Sequence, residues 1–393
     1  MKIRQIGADE RLTAALPLLV YAFDRSPMPD SDFDKLREFA PYSVDTITLV
    51  AEDNGEVTGV VSAIPMHQNV RGTVYPMAGI ASVTSPPLAR RRGHVRALLV
   101  ELLGRMREAG NPISVLYPFR PSFYQRFGYV GLPQRRTVTF APAGLAELVA
   151  AELPGELRWE RIKDGYEDYY GLTQRLLRER HGFATFPDAR AVRLRDADER
   201  WLVTARAGGE VIGAAAYRIE HHGGELTADL LLTTGPLSRT LLLQFFARHV
   251  DQVDRVTLPV PPDELPELWA TDIGTVTQSR TAIPSHSAPM ARVLSVEALA
   301  GTAVGPGRVA IEVVDDPFIA GRYLLDGGTG ALRVEPAGTP AATLTAAGLS
   351  ALVYGVLDPL DVVLRGLGTI PDDAAGQLRT MWTRATPYLT VDF

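Results

Sequence analysis

The chain has 393 residues, of which 46% are hydrophobic and 22% charged, and its formal net charge is -6 at pH 7. At roughly 150 residues per domain, this length predicts two or three globular domains with sizeable cores, and the composition excludes a disordered chain. The negative charge disfavours broad binding to nucleic acid or anionic membranes, so any anion site must be local. Because the chain contains no cysteine, disulfides, thiolate nucleophiles and cysteine metal ligands are excluded.

The N-terminal segment carries charges at Arg4, Asp9, Glu10 and Arg11 and lacks the uninterrupted apolar core of a signal peptide. No apolar run approaches the length of about 18 residues that a membrane span requires. We therefore expect a cytoplasmic protein that binds neither membranes nor nucleic acid.

Residues 45–84 carry strand patterns (DTITLVAED, EVTGVVSAIPMHQNV and TVYPMAGIASVT) separated by turns at Asn54-Gly55 and Arg71-Gly72, which predicts an antiparallel meander. Apolar residues then fall at helical spacing, and Gly110 ends this helix before a further strand, ISVLYP. The helical residues are Val95, Leu98, Leu99, Leu102, Leu103 and Met106. Residues 78–118 therefore form a predicted βαβ unit within an α/β domain of residues 1–150.

A similar order of elements recurs over residues 151–285. LRWERIKD is strand-like, EDYYGLTQRLLRERHG is helical, three strands with glycine turns follow, and PLSRTLLLQFFARHV is helical again. This repetition predicts a duplicated domain. The first copy has ARRRGHVRALL where the second has GPLSRTLLLQF, so we expect the second copy to lack the arginine cluster's function.

Residues 286–393 place strands before helices, which indicates a separate α+β domain. This region closes with PYLTVDF, in which Leu389, Val391 and Phe393 alternate with polar residues. Since a free tail is normally polar and mobile, this alternation predicts that the tail is inserted elsewhere in the molecule. The alternative is a tail packed on its own domain.

The stretch from Arg90 to Gly93 precedes the predicted helix of the first domain directly. A helix N-terminus has unpartnered N–H groups and a partial positive charge, so it attracts anions and disfavours cations. Arg90, Arg91 and Arg92 are unfavourable there unless an anion is present, and Gly93 allows a phosphate to approach the backbone. The alternative is a solvated run of charge, but the mismatch with the helix dipole favours a phosphate site.

Comparison with known phosphate-binding motifs narrows the classes of compound that this stretch could bind. The stretch lacks the G-x-x-x-x-G-K-[ST] pattern of a P-loop and the G-x-G-x-x-G pattern of a dinucleotide site. Read as Arg90-x-x-Gly93-x-Val95, it resembles the R-x-x-G-x-G/A loop with which GNAT acetyltransferases bind the pyrophosphate of acetyl-coenzyme A (acetyl-CoA). Val95 departs from the small residue usual there, but R-R-R-G followed by two apolar residues is the usual form in the Eis branch of that superfamily.

Further segments are similar to Eis-type N-acetyltransferases, namely PSFYQRFGYVG, APMARVLSVEALA and the terminal VDF. The resemblance implies an α/β (α+β) architecture of two tandem GNAT-like domains with mixed central sheets, followed by a sterol-carrier-protein-like α+β domain. It also implies transfer of an acetyl group from acetyl-CoA to a primary amine, such as an aminoglycoside, a polyamine or a lysine-type acceptor. By family analogy, the chain is expected to be a homo-oligomer, namely a hexamer.

The same resemblance implies roles for individual residues. Main-chain groups of Val83 and Ser85 would bind the pantetheine arm. The pyrophosphate would be bound by Arg90, Arg91, Arg92, Gly93, His94 and Val95. Tyr124 matches the family's general acid, because a phenol with a pKa of about 10 is protonated at neutral pH and can give a proton to the departing thiolate. The alternative for Tyr124 is a purely structural one, since FYQRF also has the spacing of a core helix.

In Eis-like enzymes the terminal carboxylate accepts the proton of the attacking amine, and by position this is Phe393. A terminal carboxyl with a solution pKa of about 3.5 is a weak base in water, and burial would raise that value. Asp392 matches an acceptor-binding Glu. Phe119, Arg120 and Pro121 stand where well-studied members have small and acidic residues, which puts broad aminoglycoside acetylation in doubt.

Other sequence patterns give weaker functional predictions. His221 and His222 lie in an apparent hairpin turn without further ligands at metal spacing, so no metal is expected. A G-x-S-x-G hydrolase motif is absent, and the basic cluster lacks the interleaved aromatic residues of a nucleic-acid site. The main alternative function is a non-catalytic carrier, in which the C-terminal domain binds a lipid or sterol and the GNAT-like domains are vestigial.

Overall fold

The computed structural model describes residues 1–29, 32, 36, 38, 40–43, 45–284 and 286–393. These residues form three β-sheets, which we call the first, second and third sheets, and each packs against helices. Within the described ranges, no helix is both long and apolar enough to cross a lipid bilayer.

The N-terminal part of the chain contributes strands β1 (Lys2–Ile6), β2 (Ile47–Asp53), β3 (Glu56–Val70), β4 (Thr73–Thr84), β5 (Ile113–Leu116) and β6 (Val130–Gly131). Its helices are α1 (Ala8–Glu10), α2 (Leu16–Phe23), α3 (His94–Glu108) and α4 (Pro121–Gln125), and a π-helical turn, Arg11–Ala15, joins α1 to α2. The predicted meander is confirmed, because Asn54 and Arg71 turn the two hairpins with φ of 52° and 51°.

The middle part contributes β7 (Arg136–Phe140), β8 (Glu156–Arg161), β9 (Ala184–Thr185), β10 (Trp201–Ala207), β11 (Glu210–Ile219), β12 (Glu225–Thr233), β13 (Arg255–Val260) and β14 (Thr275–Gln278). Its helices are α5 (Ala146–Val149), α6 (Tyr166–Glu179), α7 (Asp188–Ala191), α8 (Arg193–Ala197) and α9 (Pro236–Ala247). Helices α6 and α9 bury apolar side chains against the second sheet in separate clusters.

The C-terminal part contributes β15 (Met290–Val293), β16 (Arg308–Val314), β17 (Gly321–Asp326), β18 (Arg333–Pro336), β19 (Ala342–Thr345) and β20 (Gly368–Thr369). Its helices are α10 (Ala346–Val353), α11 (Pro359–Leu364) and α12 (Asp372–Met381). Every residue of α10 is buried, and its core is continuous with one face of the first sheet. Strands β16 to β19 precede the helices, as the sequence predicts.

The first and second sheets have the same strand order along their main paths, and each path includes a strand from another part of the chain, while β9 also pairs with β3 of the first sheet. The first runs β1-β2-β3-β4-β5-β15-β6 and the second runs β8-β10-β11-β12-β13-β7-β14. Strand β7 lies before the predicted boundary at residue 150 and β15 lies after the one at 285, so each sheet takes a strand from across a boundary. The reason is burial: all four residues of β15 are buried, a pattern that only the middle of a sheet satisfies.

Both sheets are mixed, as the sequence predicts. Strand β4 pairs with β5 in parallel, as β12 does with β13, whereas the neighbouring pairings are antiparallel. Pairing of β4 with β5 ends at Ile80 and Leu116, but β4 continues to Thr84. A bulge opposite β3 and a φ of 60° at Ser82 bend this end of β4. The two strands therefore diverge and leave an opening at the sheet edge, which we call the β4–β5 opening.

Candidate active site

The predicted pantetheine-binding residues lie where β4 runs along this opening. Val83 and Ser85 are half-buried and lie beyond the last residue of β4 that pairs with β5. Strand residues without a neighbouring strand keep main-chain donors and acceptors available, and an extended amide-containing ligand can pair with them. The structure thus provides a polar strand edge of the required kind.

A tight turn connects this edge to α3. Arg91 and Gly93 have φ of 63° and 85°, both in the left-handed region that favours glycine. Gly93 is the N-cap of α3, so no side chain caps this helix, and its first turn contains no acidic residue. The first N–H groups of the 15-residue helix α3 are consequently available to an external anion.

The three arginines of the turn are exposed to solvent. Among the described residues, none of them forms an ion pair with a carboxylate, and the Arg90 side chain bonds only weakly to the carbonyl of Ser85, at 3.4 Å. Their positive charge is therefore not neutralised by the protein. This arrangement concentrates positive charge at the helix end that already favours anions.

His94 differs from the arginines because it is only 8% exposed. Its Nδ1 is buried and has no hydrogen-bond partner within the described part of the chain. A buried ring nitrogen without a partner costs free energy unless a ligand supplies one. The side chain of Val95, the next residue, packs with the core beneath α3, so only its backbone remains for the predicted pyrophosphate contact.

Tyr124 lies on the short helix α4, beside the same edge of the first sheet. Its side chain is 1% exposed and packs with Ile80 and Leu116, the last paired residues of β4 and β5. The rings of Phe119 and Phe123 lie edge-on to it, with centroids at 5.3 and 5.1 Å. Burial raises the pKa of Tyr124 above its ordinary value, so the phenol is fully protonated at neutral pH. Tyr124 can therefore be part of the core and also present a protonated phenol.

Arg292 of β15 fixes the segment that follows Tyr124. Its guanidinium donates to the carbonyl of Phe127 at 2.5 Å and to the carboxylate of Asp316 at 3.0 Å. Both charged side chains are almost completely buried, and Asp316 also accepts hydrogen bonds from two backbone amides. The exchanged strand thus contributes a charged anchor to the helix that carries Tyr124.

The last eight residues, 386–393, which we call the tail, lie against the first and second domains. The amide of Tyr388 donates to the carbonyl of His181 at 3.0 Å, and Tyr117 donates from its hydroxyl to the carbonyl of Val391 at 3.0 Å. Asp392 is exposed and pairs with Arg135 at 2.5 Å. The tail is thereby held beside the end of β5.

The ring of Phe393 lies on the paired part of β4, next to the β4–β5 opening. It contacts Tyr117, with ring centroids 5.6 Å apart, and it occupies the space above Gly79 of β4. Gly79 and Ile80 are neighbours in a strand and therefore face opposite sides of the sheet. Phe393 lies on the Gly79 side and Tyr124 on the Ile80 side, so the two predicted catalytic residues flank the opening from opposite faces.

The corresponding helix start in the second domain differs. There, Pro236 replaces one amide, and the amides of Thr234 and Gly235 donate to the hydroxyl of Ser238 at 3.1 and 3.2 Å. The proline therefore removes the first of the helix-start donors that are present after Gly93, and the two preceding amides are already satisfied. His221 and His222 are exposed in a turn of the same domain, and the described residues contain no group of three potential metal ligands.

Sequence reasoning missed three contributors to this site, namely Gly79, Tyr117 and Arg292. A signal existed only for Arg292, a lone charged residue within the apolar run PMARVL. A charge in a fully buried strand requires a buried partner. Gly79 and Tyr117 have no such signal, because their importance depends on where the tail lies.

Comparison with known proteins identifies two acetyltransferase domains in the chain. Residues 2–131 and residues 175–293 each match a family described as an acetyltransferase (GNAT) domain. An uncharacterized N-acetyltransferase of Streptomyces coelicolor is 28% identical over 79% of both chains. The N-acetyltransferase Eis of Mycobacterium tuberculosis is 36% identical over 80 residues, which is 20% of each chain.

Solved structures show the same fold over the full length. A GCN5-related N-acetyltransferase from Anabaena variabilis superimposes with a TM-score of 0.83 at 21% identity, covering 100% of both chains. One from Kribbella flavida gives 0.81 at 22% identity, covering 100% of this chain and 98% of that one. Eis1 from Mycobacterium abscessus gives 0.77 at 19% identity, with 100% of both chains covered. At these identities, the similarity shows the fold alone.

Proposed function

Because the chain contains two tandem acetyltransferase (GNAT) domains, we propose that it transfers the acetyl group of acetyl-CoA to a primary amine in the first of them. The observation that carries this proposal is the β4–β5 opening, which leads from the uncapped start of α3 to Tyr124 and Phe393. The candidate acceptors are an aminoglycoside, a polyamine or a lysine-type amine.

In this proposal, the pyrophosphate binds at the N-terminus of α3. The amides after Gly93 set its position, and Arg90, Arg91 and Arg92 add charge-assisted contacts. His94 offers its Nδ1, which has no partner among the described residues. The pantetheine arm extends along main-chain groups of Val83 and Ser85. The thioester then lies in the opening, between the faces that carry Tyr124 and Phe393.

The chemistry requires one proton acceptor and one proton donor. The amine that receives the acetyl group binds as an ammonium ion. The terminal carboxylate of Phe393 takes a proton from it, so that the nitrogen lone pair can attack the thioester carbon. The carbon–nitrogen bond forms and the carbon–sulfur bond breaks. Tyr124 gives its proton to the departing sulfur and is reprotonated as the amine loses its second proton. Asp392, which carries the negative charge beside Phe393, attracts the cationic acceptor.

The test is release of free thiol from acetyl-CoA by the purified full-length chain, measured with a panel of polyamines, aminoglycosides and lysine peptides. Tyr124→Phe and deletion of Phe393 should each lower kcat by about 10²–10⁴-fold, the usual range for general acid–base help. Tyr217→Phe is the matched control, since Tyr217 is a buried tyrosine of the second domain. Its rate should match that of the unmodified chain.

Loss of activity must be separated from loss of structure. Both variants should keep the circular dichroism spectrum and melting behaviour of the unmodified chain, because Phe393 is terminal and Tyr124→Phe keeps the aromatic packing. The proposal is contradicted if no amine releases thiol while acetyl-CoA is bound. Unchanged turnover in the Tyr124→Phe variant would exclude the assigned acid.

A further inference from the structure

A cavity of about 510 Å³ lies beside the tail, outside the β4–β5 opening. Its walls come from helices α6, α7 and α8, from strand β12 and from tail residues 390–392, and we call it the tail cavity. Aromatic and apolar side chains form most of its surface, namely Tyr166, Tyr169, Phe183, Phe186, Leu230 and Leu232. A volume of this size is typical of small-molecule sites.

The charged groups of the tail cavity are not balanced. Arg135 pairs with Asp392, and Arg200 pairs with Asp229. Arg190 also lines the cavity, but its guanidinium lies 4.8 Å over the ring of Phe186 and has no carboxylate partner among the described residues. A half-buried guanidinium that faces an aromatic wall is a strong candidate for binding an anion.

Two neighbouring arginines add to the uncompensated positive charge at Arg190. Burial, together with repulsion from Arg11 and Arg193, lowers the pKa of Arg190 to about 10. Arg190 remains protonated at neutral pH, but its charged form is destabilised by its surroundings. A bound anion would remove this destabilisation, because an opposite charge favours the protonated form.

Tyr166 supplies a second, independent observation. It is 4% exposed, it lines the same cavity, and its hydroxyl has no hydrogen-bond partner in the described part of the chain. Burial raises the pKa of Tyr166 to about 12, so the hydroxyl is a proton donor at neutral pH. Its ring stacks on Tyr170 with a centroid distance of 5.8 Å. A buried donor of this kind is satisfied when a ligand in the cavity supplies an acceptor atom.

We propose that the tail cavity binds the acceptor of the acetyl group, and that this acceptor is an aromatic or apolar primary amine that carries a carboxylate. The carboxylate binds to Arg190 and to the hydroxyl of Tyr166, and the body of the molecule packs on the aromatic walls. This inference rests on the proposed function, because it names the substrate class of the same site.

The position of the tail connects the cavity to the chemistry. Val391 and Asp392 line the cavity, and the ring of Phe393, the next residue, lies above Gly79, next to the opening. In this proposal, an amine whose carboxylate binds at Arg190 directs its ammonium group towards this end of the tail. The cavity is cationic at Arg190, and the chain's terminal carboxylate follows directly after the lining residue Asp392, which matches a dipolar acceptor.

The first experiment compares amines that differ only in the carboxylate. Tyrosine is measured against tyramine, and phenylalanine against phenethylamine, with thiol release as the readout. We expect kcat/KM to favour the carboxylate-bearing member of each pair by about tenfold or more, as one charge-assisted contact allows. Arg190→Gln should abolish this preference, whereas Arg333→Gln, which alters an exposed arginine of β18, should preserve it.

The second experiment needs no reaction. Binding of 3-phenylpropionate, which has the carboxylate and the ring but no amine, is measured by calorimetry on the full chain. Arg190→Gln and Tyr166→Phe should each weaken this binding by about tenfold, and Tyr166→Phe serves as the second variant if Arg190→Gln does not fold.

These two readouts separate the proposals. If no amine is acetylated but 3-phenylpropionate binds in a manner that depends on Arg190 and Tyr166, the cavity assignment stands and the proposed transfer fails. If amines are acetylated and tyramine is used as well as tyrosine, the assignment of a carboxylate-bearing acceptor is overturned. Binding of 3-phenylpropionate that neither substitution weakens would overturn it as well.

Discussion

The ring of Phe393 fills the space that a side chain at Gly79 would occupy. A Cβ built at position 79 would lie 2.6 Å from Cε2 of Phe393 and 3.0 Å from Sδ of Met66. The terminal ring can therefore pack on the first sheet at this point only because residue 79 has no side chain. This relationship provides a way to move the tail without altering it.

Gly79→Ala should displace Phe393 from this position and lower kcat by about a hundredfold or more, since the proposed base moves with the ring. The backbone of β4 is extended at this position, so alanine itself fits the strand, and steady-state kinetics with acetyl-CoA gives the measurement. Gly131→Ala is the control, because a Cβ there meets no atom within 4 Å. A Gly79→Ala variant with native kcat would show that turnover does not need the ring at this position.

The buried pair of Arg292 and Asp316 provides a test of stability. Arg292→Met should lower the free energy of unfolding by about 3–5 kcal/mol, because Asp316 then keeps a buried charge without its partner. Urea denaturation measures this loss, and Arg322→Met is the control. Arg322 pairs with Glu312 but is largely exposed, so its removal should cost about 1 kcal/mol or less. Equal losses in the two variants would contradict the role assigned to Arg292.

His181 joins three parts of the chain and should make stability depend on pH. Its Nδ1 accepts a hydrogen bond from the amide of Arg71 at 3.1 Å, and its Nε2 lies 3.0 Å from the carbonyl of Tyr354. Burial lowers the pKa of His181 from 6.5 to about 4. The unfolded chain therefore binds a proton that the folded chain excludes, and the stabilisation present above pH 6.5 is lost as the pH falls through about 4.

The measurement is the free energy of unfolding at several pH values for the unmodified chain and for His181→Gln. Carboxylates titrate in both proteins, so their difference isolates the histidine. We expect the unmodified chain to lose stability more steeply than the variant between pH 6.5 and about 4, by about 3 kcal/mol in total. Parallel pH profiles would show that His181 is not held neutral by folding.

Tyr166 and Tyr354 allow a matched comparison of buried hydroxyls. Tyr166→Phe should leave the melting temperature unchanged or raise it, because its hydroxyl has no hydrogen-bond partner to lose among the residues that the structure describes. Tyr354→Phe should lower stability by about 1–3 kcal/mol, because its hydroxyl donates to Oε1 of Gln68 at 2.8 Å in a buried position. Calorimetric melting of both variants checks this contrast. A large loss in Tyr166→Phe would mean that its hydroxyl is satisfied in the apo protein.

Local elements of the fold were predictable because their signals are local. The hairpin turns at Asn54 and Arg71 and the apolar face of α3 follow from the residues themselves. The exchange of β7 and β15 was not predictable in this way. Both are short strands, and nothing in a strand's own sequence specifies which distant strand it pairs with.

The residues of the candidate site were likewise predictable only where their signal is local. The turn from Arg90 to Gly93 and Tyr124 were found because each belongs to a contiguous motif. The insertion of the tail was predicted from the alternation of Leu389, Val391 and Phe393. The position of the Phe393 ring over Gly79 was not predicted. Tyr117 bonds to Val391 across 274 positions, and only the folded chain brings these residues together.

The exchange of β15 has a consequence for biosynthesis. The first sheet leaves a gap between β5 and β6 that a strand from residues 290–293 must fill. At translation rates of about 5–20 residues per second, this gap stays open on the ribosome for on the order of ten seconds after β6 emerges. Nascent chains must keep those two strand edges from pairing with each other or with neighbouring polypeptides, which makes the interval a natural point for chaperone engagement.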